Sequence, residues 1–273
     1  MNLRQSLLRS AATGIVALWA TTLTGCTPPP ISGGGYELVF NDEFDDLSGL
    51  WQTAPFGGSL PATAANGMMT VRTTAANAYR WGYVASTGPR FETEPSYPFA
   101  HRWQYGYFEA RLRYTNSAWA WPAFWLFSMA KTEAWPGENC AVLNAEWDIM
   151  ENGVANANGD RPAARWNNSA IHRNTTDNSS DGYCGQPDDA RGFSQDMAGT
   201  NLSDWHVWAG RWTSSQLCTY LDGELLNCMA PFDTTAQPMH LVFTMLYLPE
   251  CSGCGARPSS MQMQVDWIRV WQR

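Results

Sequence analysis

Charge is scarce in this chain: Asp, Glu, Lys and Arg together supply 15% of its 273 residues, and the balance is acidic, with a formal net charge of −8. An acidic surface repels phosphate backbones, which excludes nucleic acid as a natural partner. Long apolar runs are missing as well. The apolar stretch from Ala11 to Leu23 falls short of the ~20 residues needed to cross a bilayer. No segment carries a long helical period, and there is neither an internal repeat nor a second linker, which argues against helical and repeat architectures.

Aromatic residues are plentiful, at 13% with 15 Trp. Trp combines a large apolar body with one N–H donor, so it suits a core and also suits the flat face of a sugar ring. The N-terminus has the layout of an export signal: Arg4 and Arg9, then the apolar run, then small residues. Losing residues 1–25 removes those two arginines and no acid, taking the net charge from −8 to −10. Within the signal, Leu23-Thr24-Gly25-Cys26 resembles a bacterial lipobox, which makes Cys26 the expected lipidation site and mature N-terminus. Seven cysteines are odd in number. Setting Cys26 aside leaves Cys140, Cys184, Cys218, Cys228, Cys251 and Cys254, an even set that implies disulfides in an exported chain. Residues 26–35 are Pro- and Gly-rich and read as a tether. One domain, 36–273, follows. The expected protein is a monomer, exported to the cell envelope on a lipid anchor or secreted, and it meets a membrane only through that anchor.

The signals in that domain are strand signals. Tyr105 to Tyr114 alternates cleanly, with Glu109, Arg111 and Arg113 on one face and Phe108, Ala110 and Leu112 on the other. Trp121–Ser128 and Met239–Leu248 are short apolar runs, and Gln262–Gln272 alternates again. Asp222-Gly223 supplies the positive φ angles of a tight hairpin turn. A two-residue turn there faces Cys218 against Asn227, so a Cys218–Cys228 bond, the first choice among 15 pairings, requires a bulge or a longer loop. Cys251-Ser252-Gly253-Cys254 lacks a βαβ setting or a second matching pair, so loop disulfides are preferred to redox or zinc chemistry. Many strands in ~240 residues indicate an all-β sandwich or jelly roll.

The most informative stretch is Glu146-Trp147-Asp148-Ile149-Met150-Glu151. Strict alternation places Glu146 and Asp148 on one face, Trp147 and Ile149 on the other, and Glu151 in the core. Burying an unpaired carboxylate beside Trp and Ile costs several kcal/mol. One extra residue at Ile149-Met150, a β-bulge, turns Glu151 back to the acidic face. Three crowded carboxylates cannot all ionise, so one holds a proton near neutral pH, as an acid–nucleophile pair requires. Leaning across Asp148, the outer two approach the ~5–5.5 Å separation of a retaining glycosidase. A solvated acidic strand or a divalent-cation site is the competing reading of this hexapeptide alone.

This strand resembles the E-x-D-x-x-E signature of glycoside hydrolase family 16, the laminarinase and agarase group. Further motifs follow in the family's order: Leu38 to Phe44, Tyr105 to Arg111, Trp121 to Leu126, Trp205 to Trp208, Tyr220 to Gly223 and Val265 to Trp271. The resemblance implies a β-sandwich jelly roll with a concave substrate cleft, formed in part by the Tyr105 and Trp121 strands, and endo-acting, retaining hydrolysis of internal β-linkages. By position, Glu146 is the expected nucleophile, Glu151 the general acid/base and Asp148 the residue that tunes them. Trp121 and Trp125 become sugar platforms, Glu109 and Arg111 bind hydroxyls, and His172 hydrogen-bonds near the acid/base. No cofactor is required; Glu43 and Asp266 match positions near a structural Ca2+ site of many relatives. Trp147 departs from the smaller aliphatic residues usual there. A neutral β-1,3-glucan such as laminarin is the expected substrate. Arg161, Arg165 and Arg173 leave a galactan (agarose, porphyran or carrageenan) as the alternative, unless they pair with Asp160, Asp177 and Asp181. A transglycosylase and a non-catalytic glycan-binding jelly roll are the other classes.

Overall fold

The computed structural model describes residues 34–47, 51, 62–77, 84–86, 101–128, 145–173, 189–232 and 238–273. They form two antiparallel sheets. The larger holds β1 (Glu37–Asp42), β2 (Thr63–Ala64), β3 (Met69–Thr74), β5 (Gly106–Tyr114), β10 (His206–Trp212), β11 (Leu217–Leu221), β12 (Glu224–Met229) and β14 (Ser260–Gln272). The smaller holds β4 (Val84–Ser86), β6 (Ala120–Ser128), β7 (Ala145–Glu151), β8 (Trp166–Arg173), β9 (Asp189–Asp196) and β13 (His240–Tyr247). The orders are β12-β11-β10-β5-β14-β3-β2, with β1 also on β14, and β4-β13-β6-β7-β8-β9. The only helical piece among the described residues is a 3-10 turn, Ala75–Asn77.

Alternation explains why the sheets stack. On β5, Phe108, Ala110 and Leu112 are fully buried, and on β7 so are Trp147 and Ile149; all join one core cluster. A core that size is the main stabilising term of a sandwich. Room for the indole of Trp147 comes from the facing strand. A Cβ added at Gly210 of β10 would stand 2.4 Å from the Trp147 ring and 2.8 Å from Ile149. The wide residue on β7 is therefore matched by a glycine across the core.

The hairpin and its cross-link form together. Asp222 and Gly223 adopt φ of 50° and 86°. The β11–β12 register shifts between Thr219 and Tyr220, and that bulge brings Cys218 directly opposite Cys228, where they are bonded. Cys251 is bonded to Cys254. Cys26, Cys140 and Cys184 lie outside the described residues.

Candidate active site

The β7 strand runs between β6 and β8 in the middle of the smaller sheet. Asp148 pairs with Trp125 and Met150 with Phe124, so Ile149 is the extra residue of a bulge. Beyond it Glu151 pairs with Ala123, on the same face as Asp148 and Glu146. The bulge thus turns the third acid outward while Ile149 and Met150 both stay in the core.

Two buried polar side chains, Ser169 and Asn152, hold this strand in place. Ser169 Oγ donates to the Asp148 carbonyl at 2.6 Å and lies 3.1 Å from Thr219 Oγ1 on the other sheet. Just past Glu151, the fully buried Asn152 donates from its amide to Tyr114 Oη at 3.0 Å and accepts the Asn168 backbone N–H at 3.1 Å. Tyr114 passes the chain on to the Ala163 carbonyl at 2.9 Å. Each of these groups would be costly to bury unpaired, so together they fix where the acidic strand ends. Sequence patterning missed Ser169, Asn152, Tyr114 and Gly210; their contacts, such as Gly210 across the core from Trp147 and Ser169 with Thr219, join residues far apart in the chain and leave no local signal.

The carboxyls are crowded and starved of cations. Asp148 is 2% exposed, and Glu146 and Glu151 are half-buried. Burial raises the Glu151 carboxyl from its ordinary 4.5 to about 8, aided by the charge of Asp148 and opposed by a hydrogen bond from Trp121. Glu146 is pushed well above the carboxylate range by burial and then by Asp148, with His172 acting in the opposite sense. Burial also raises Asp148, against a hydrogen bond from its own backbone. Among the described residues no Arg or Lys forms an ion pair with these acids; His172 Nε2, 3.1 Å from Asp148 Oδ2, is the one basic neighbour in ion-pair range. Ligand atoms of Glu146, Asp148 and His172 lie within 4.8 Å of one another, close enough to grip a cation as well as to share protons.

The strand register lays out the rest of the face. Glu146 stands between Phe127 and His172, and His240 pairs with Phe127 beyond. Asp148 stands between Trp125 and Ala170, with Val242 beyond Trp125. Trp121 Nε1 donates to Glu151 Oε1 at 3.0 Å. Trp121, Trp125 and His172 are thus all brought to the acids. Trp125 is only 6% exposed, its ring packed 5.5 Å from Phe127.

Two residues expected in the cleft are not brought there. Glu109 and Arg111 lie on β5, in the larger sheet, and alternate with core residues that point toward β7, so they face away from the acids. Alternation correctly groups side chains by face but does not say which sheet a strand joins. Arg111 instead pairs with Asp266 at 2.6 Å, and Arg269 with Glu43 at 3.1 Å. With each carboxylate facing a guanidinium, the Glu43 and Asp266 side chains do not fit a Ca2+ site. Arg165 pairs with Asp196, while Arg161 stacks on Trp166 and Arg173 on Phe232. Arg165 thus has Asp196 as partner in place of one of the three expected acids, of which Asp177 and Asp181 lie outside the described residues. A hollow of about 440 Å³ elsewhere is lined by Ala164, Arg165 and residues 198–201 and carries no acid, so it does not compete as a catalytic centre.

A bulged strand of three acids on one sheet of a two-sheet sandwich is the arrangement that the resemblance to jelly-roll glycoside hydrolases implies. No family model matches the chain. It is 25% identical over 324 residues, 97% of this chain and 85% of the other, to a protein named beta-porphyranase C from Zobellia galactanivorans. It is 26% identical over 190 residues to a beta-glucanase from Rhodothermus marinus, covering 62% of this chain and 58% of that one. The fold is shared with a solved glycoside hydrolase family 16 endo-glucanase from Bacteroides ovatus, at a TM-score of 0.61 and 13% identity over 85% of this chain and 99% of that one. The signature strand, the ordered motifs and these relatives support a likeness to glycoside hydrolase family 16.

Proposed function

We propose that this protein is an endo-acting, retaining hydrolase of internal β-linkages in a polysaccharide. The observation that carries this reading is the bulge at Ile149, which puts Glu146 and Glu151 on one face with only Asp148 between them. Glu146 attacks the anomeric carbon. Glu151 protonates the departing oxygen, and its pKa of about 8 keeps that proton available at neutral pH. Asp148, in contact with His172, sets how the shared protons are divided. Trp121, oriented by its bond to Glu151, offers a ring to the sugar, with Trp125 beneath it in the floor. A pair leaning together across one residue leaves no room for a water between them, which supports retention. NMR of the first product formed tests this; an inverted anomer overturns it.

For the substrate, a neutral β-1,3-glucan such as laminarin fits the acidic chain and the likeness to a beta-glucanase. The galactan reading is favoured by the other relative, a beta-porphyranase matched over 97% of this chain. Reducing-end release from laminarin, mixed-linkage glucan, agarose, porphyran and carrageenan separates the two. We also place the protein outside the cytoplasm as a monomer carrying lipid on Cys26. The acyl mass on intact protein from a membrane fraction is the test; a soluble product beginning beyond Cys26 overturns it.

A further inference from the structure

The outward face of the larger sheet, on the far side of the sandwich from the acids, carries a row of arginines and tryptophans that the reaction does not use. Arg111 and Arg113 alternate with core residues on β5 and both stack on Trp205, at 4.6 and 4.8 Å from its ring centre. On the neighbouring β14, Trp267 is paired with Arg111 in register and lies under Arg269 at 4.2 Å. One strand further, Arg72 on β3 faces Gln262. Arg72 and Arg113 donate to the neutral side chains Gln262 and Gln264, at 3.1 and 2.8 Å, and neither forms an ion pair among the described residues. Arg111 spends one nitrogen on Asp266, and Arg269 meets Glu43 and Asn41. Arg72 and Arg113 thus add positive charge to this face of an acidic protein with no acid partner among the described residues.

Beside the row lies a polar hollow of about 290 Å³, walled by Arg113, Asn116, Asn201, Ser203, Gln262 and Gln264, with Asp204 as its one carboxylate. Because Gln262 and Gln264 each accept an arginine through the amide oxygen, each keeps an NH2 to donate. Amides and a hydroxyl around a sugar-sized hollow suit ring hydroxyls. A guanidinium stacked on an indole is held flat, and the edge donors that Arg111 and Arg113 do not spend on Asp266 and Gln264 can grip an oxyanion in its plane. A sulfate ester presents three oxygens and can take donors from more than one guanidinium, as Arg111 and Arg113, both over the Trp205 ring, offer.

We propose that this face is a second glycan-binding site, which holds a sulfated polysaccharide chain through the Arg113–Trp205–Arg111 stack and the hollow beside it. It stands on its own geometry and applies whichever chain the acids cut. The test uses the full-length Glu146→Gln protein, so that no probe is digested, run in native gels cast with κ-carrageenan, alginate or laminarin. The expected result is retardation by κ-carrageenan alone, abolished at high salt and weakened at least ~10-fold when Arg113→Gln is added. Arg113→Gln in the otherwise unaltered enzyme leaves its melting temperature and its kcat on a short oligosaccharide unchanged. Trp205→Ala weakens binding similarly; if it misfolds, the exposed Arg113→Gln still decides. No retardation, retardation insensitive to Arg113→Gln, or equal retardation by alginate or laminarin each overturns the proposal.

Discussion

The two outward faces of the sandwich treat their carboxylates in opposite ways. On the larger sheet Asp266 meets Arg111 at 2.6 Å and Glu43 meets Arg269 at 3.1 Å, in positions open to water. On the smaller sheet three acids share one strand face with, among the described residues, a single histidine in ion-pair range. Neither composition nor alternation distinguishes the faces; both mix acids with tryptophan. For these residues the difference is compensation; Glu109, buried on the larger sheet, is the exception. A carboxylate beside a guanidinium is an ordinary surface pair, whereas buried carboxylates without cations keep their protons to higher pH and so can give and take them near neutrality.

Breaking the uncompensated face has the largest effect. Glu146→Gln and Glu151→Gln are each expected to fold and to lose at least ~100-fold in kcat, with Asp148→Asn less affected, whereas Asp266→Asn and Glu43→Gln leave kcat unchanged. Turnover of an unactivated polysaccharide is the measurement. Wild-type turnover by Glu151→Gln would remove it from the acid/base role.

The same contrast sets the pH profile. Glu151 must hold a proton to protonate the leaving oxygen, and its carboxyl is raised to about 8. Activity is therefore expected to persist through neutrality and to fall as pH rises through about 8. On the acid side it falls once the pair takes up a second proton and Glu146 no longer attacks. A kcat/KM profile in which the alkaline limb survives Glu151→Gln would show that another group titrates there.

Stability should move with opposite signs on the two faces. A carboxyl raised from 4.5 to about 8 binds its proton more tightly when folded than when unfolded. Its ionisation penalty is absent below pH ~4.5, grows as pH rises, and is complete above about 8, so folding weakens across that window. Removing the charge relieves the penalty. Glu151→Gln is expected to raise Tm at pH 8, by about 2–4 °C for each kcal/mol recovered, and to change it little at pH 4. A scanning calorimetry series over that range reads it directly, and a lowered Tm at pH 8 would mean that Trp121 and the flanking aromatics need the anion.

How much of this was legible beforehand follows from the range of each interaction. The bulge at Ile149 and the Cys218–Cys228 link were readable because strict alternation or a two-residue turn would have put Glu151 or Cys228 in the wrong place. Trp121, Trp125 and His172 were placed beside the acids by strand period and motif order. Glu109 and Arg111 were misplaced because their strand's alternation is the same whichever sheet it joins, and the β5–β14 and β5–β10 pairings join residues ~100–160 positions apart. Glu109 shows the cost of that error. It is 7% exposed and its carboxyl is raised by burial to about 7, so it imitates a catalytic acid while standing on the wrong face. A raised pKa marks a site only when the fold brings it to the substrate.

The smallest effect is expected on the compensated face, and it is the finest test of the contrast. Arg111 and Asp266 are each more than a third exposed at the side chain, so water screens their pair and the attraction is largely offset by holding two side chains still. Arg111 also stacks on Trp205, a contact that survives loss of Asp266. Asp266→Asn should therefore lower Tm by no more than about 1–3 °C, Arg111→Gln by slightly more, and the double variant by nearly the Arg111→Gln value alone. High salt should shrink the Asp266→Asn effect but leave the excess of Arg111→Gln, because screening acts on charge and not on stacking. A drop on Asp266→Asn as large as that from an unpaired buried charge would mean that this face, too, is shielded from water, and the division between paired and unpaired acids would then no longer explain which face does chemistry.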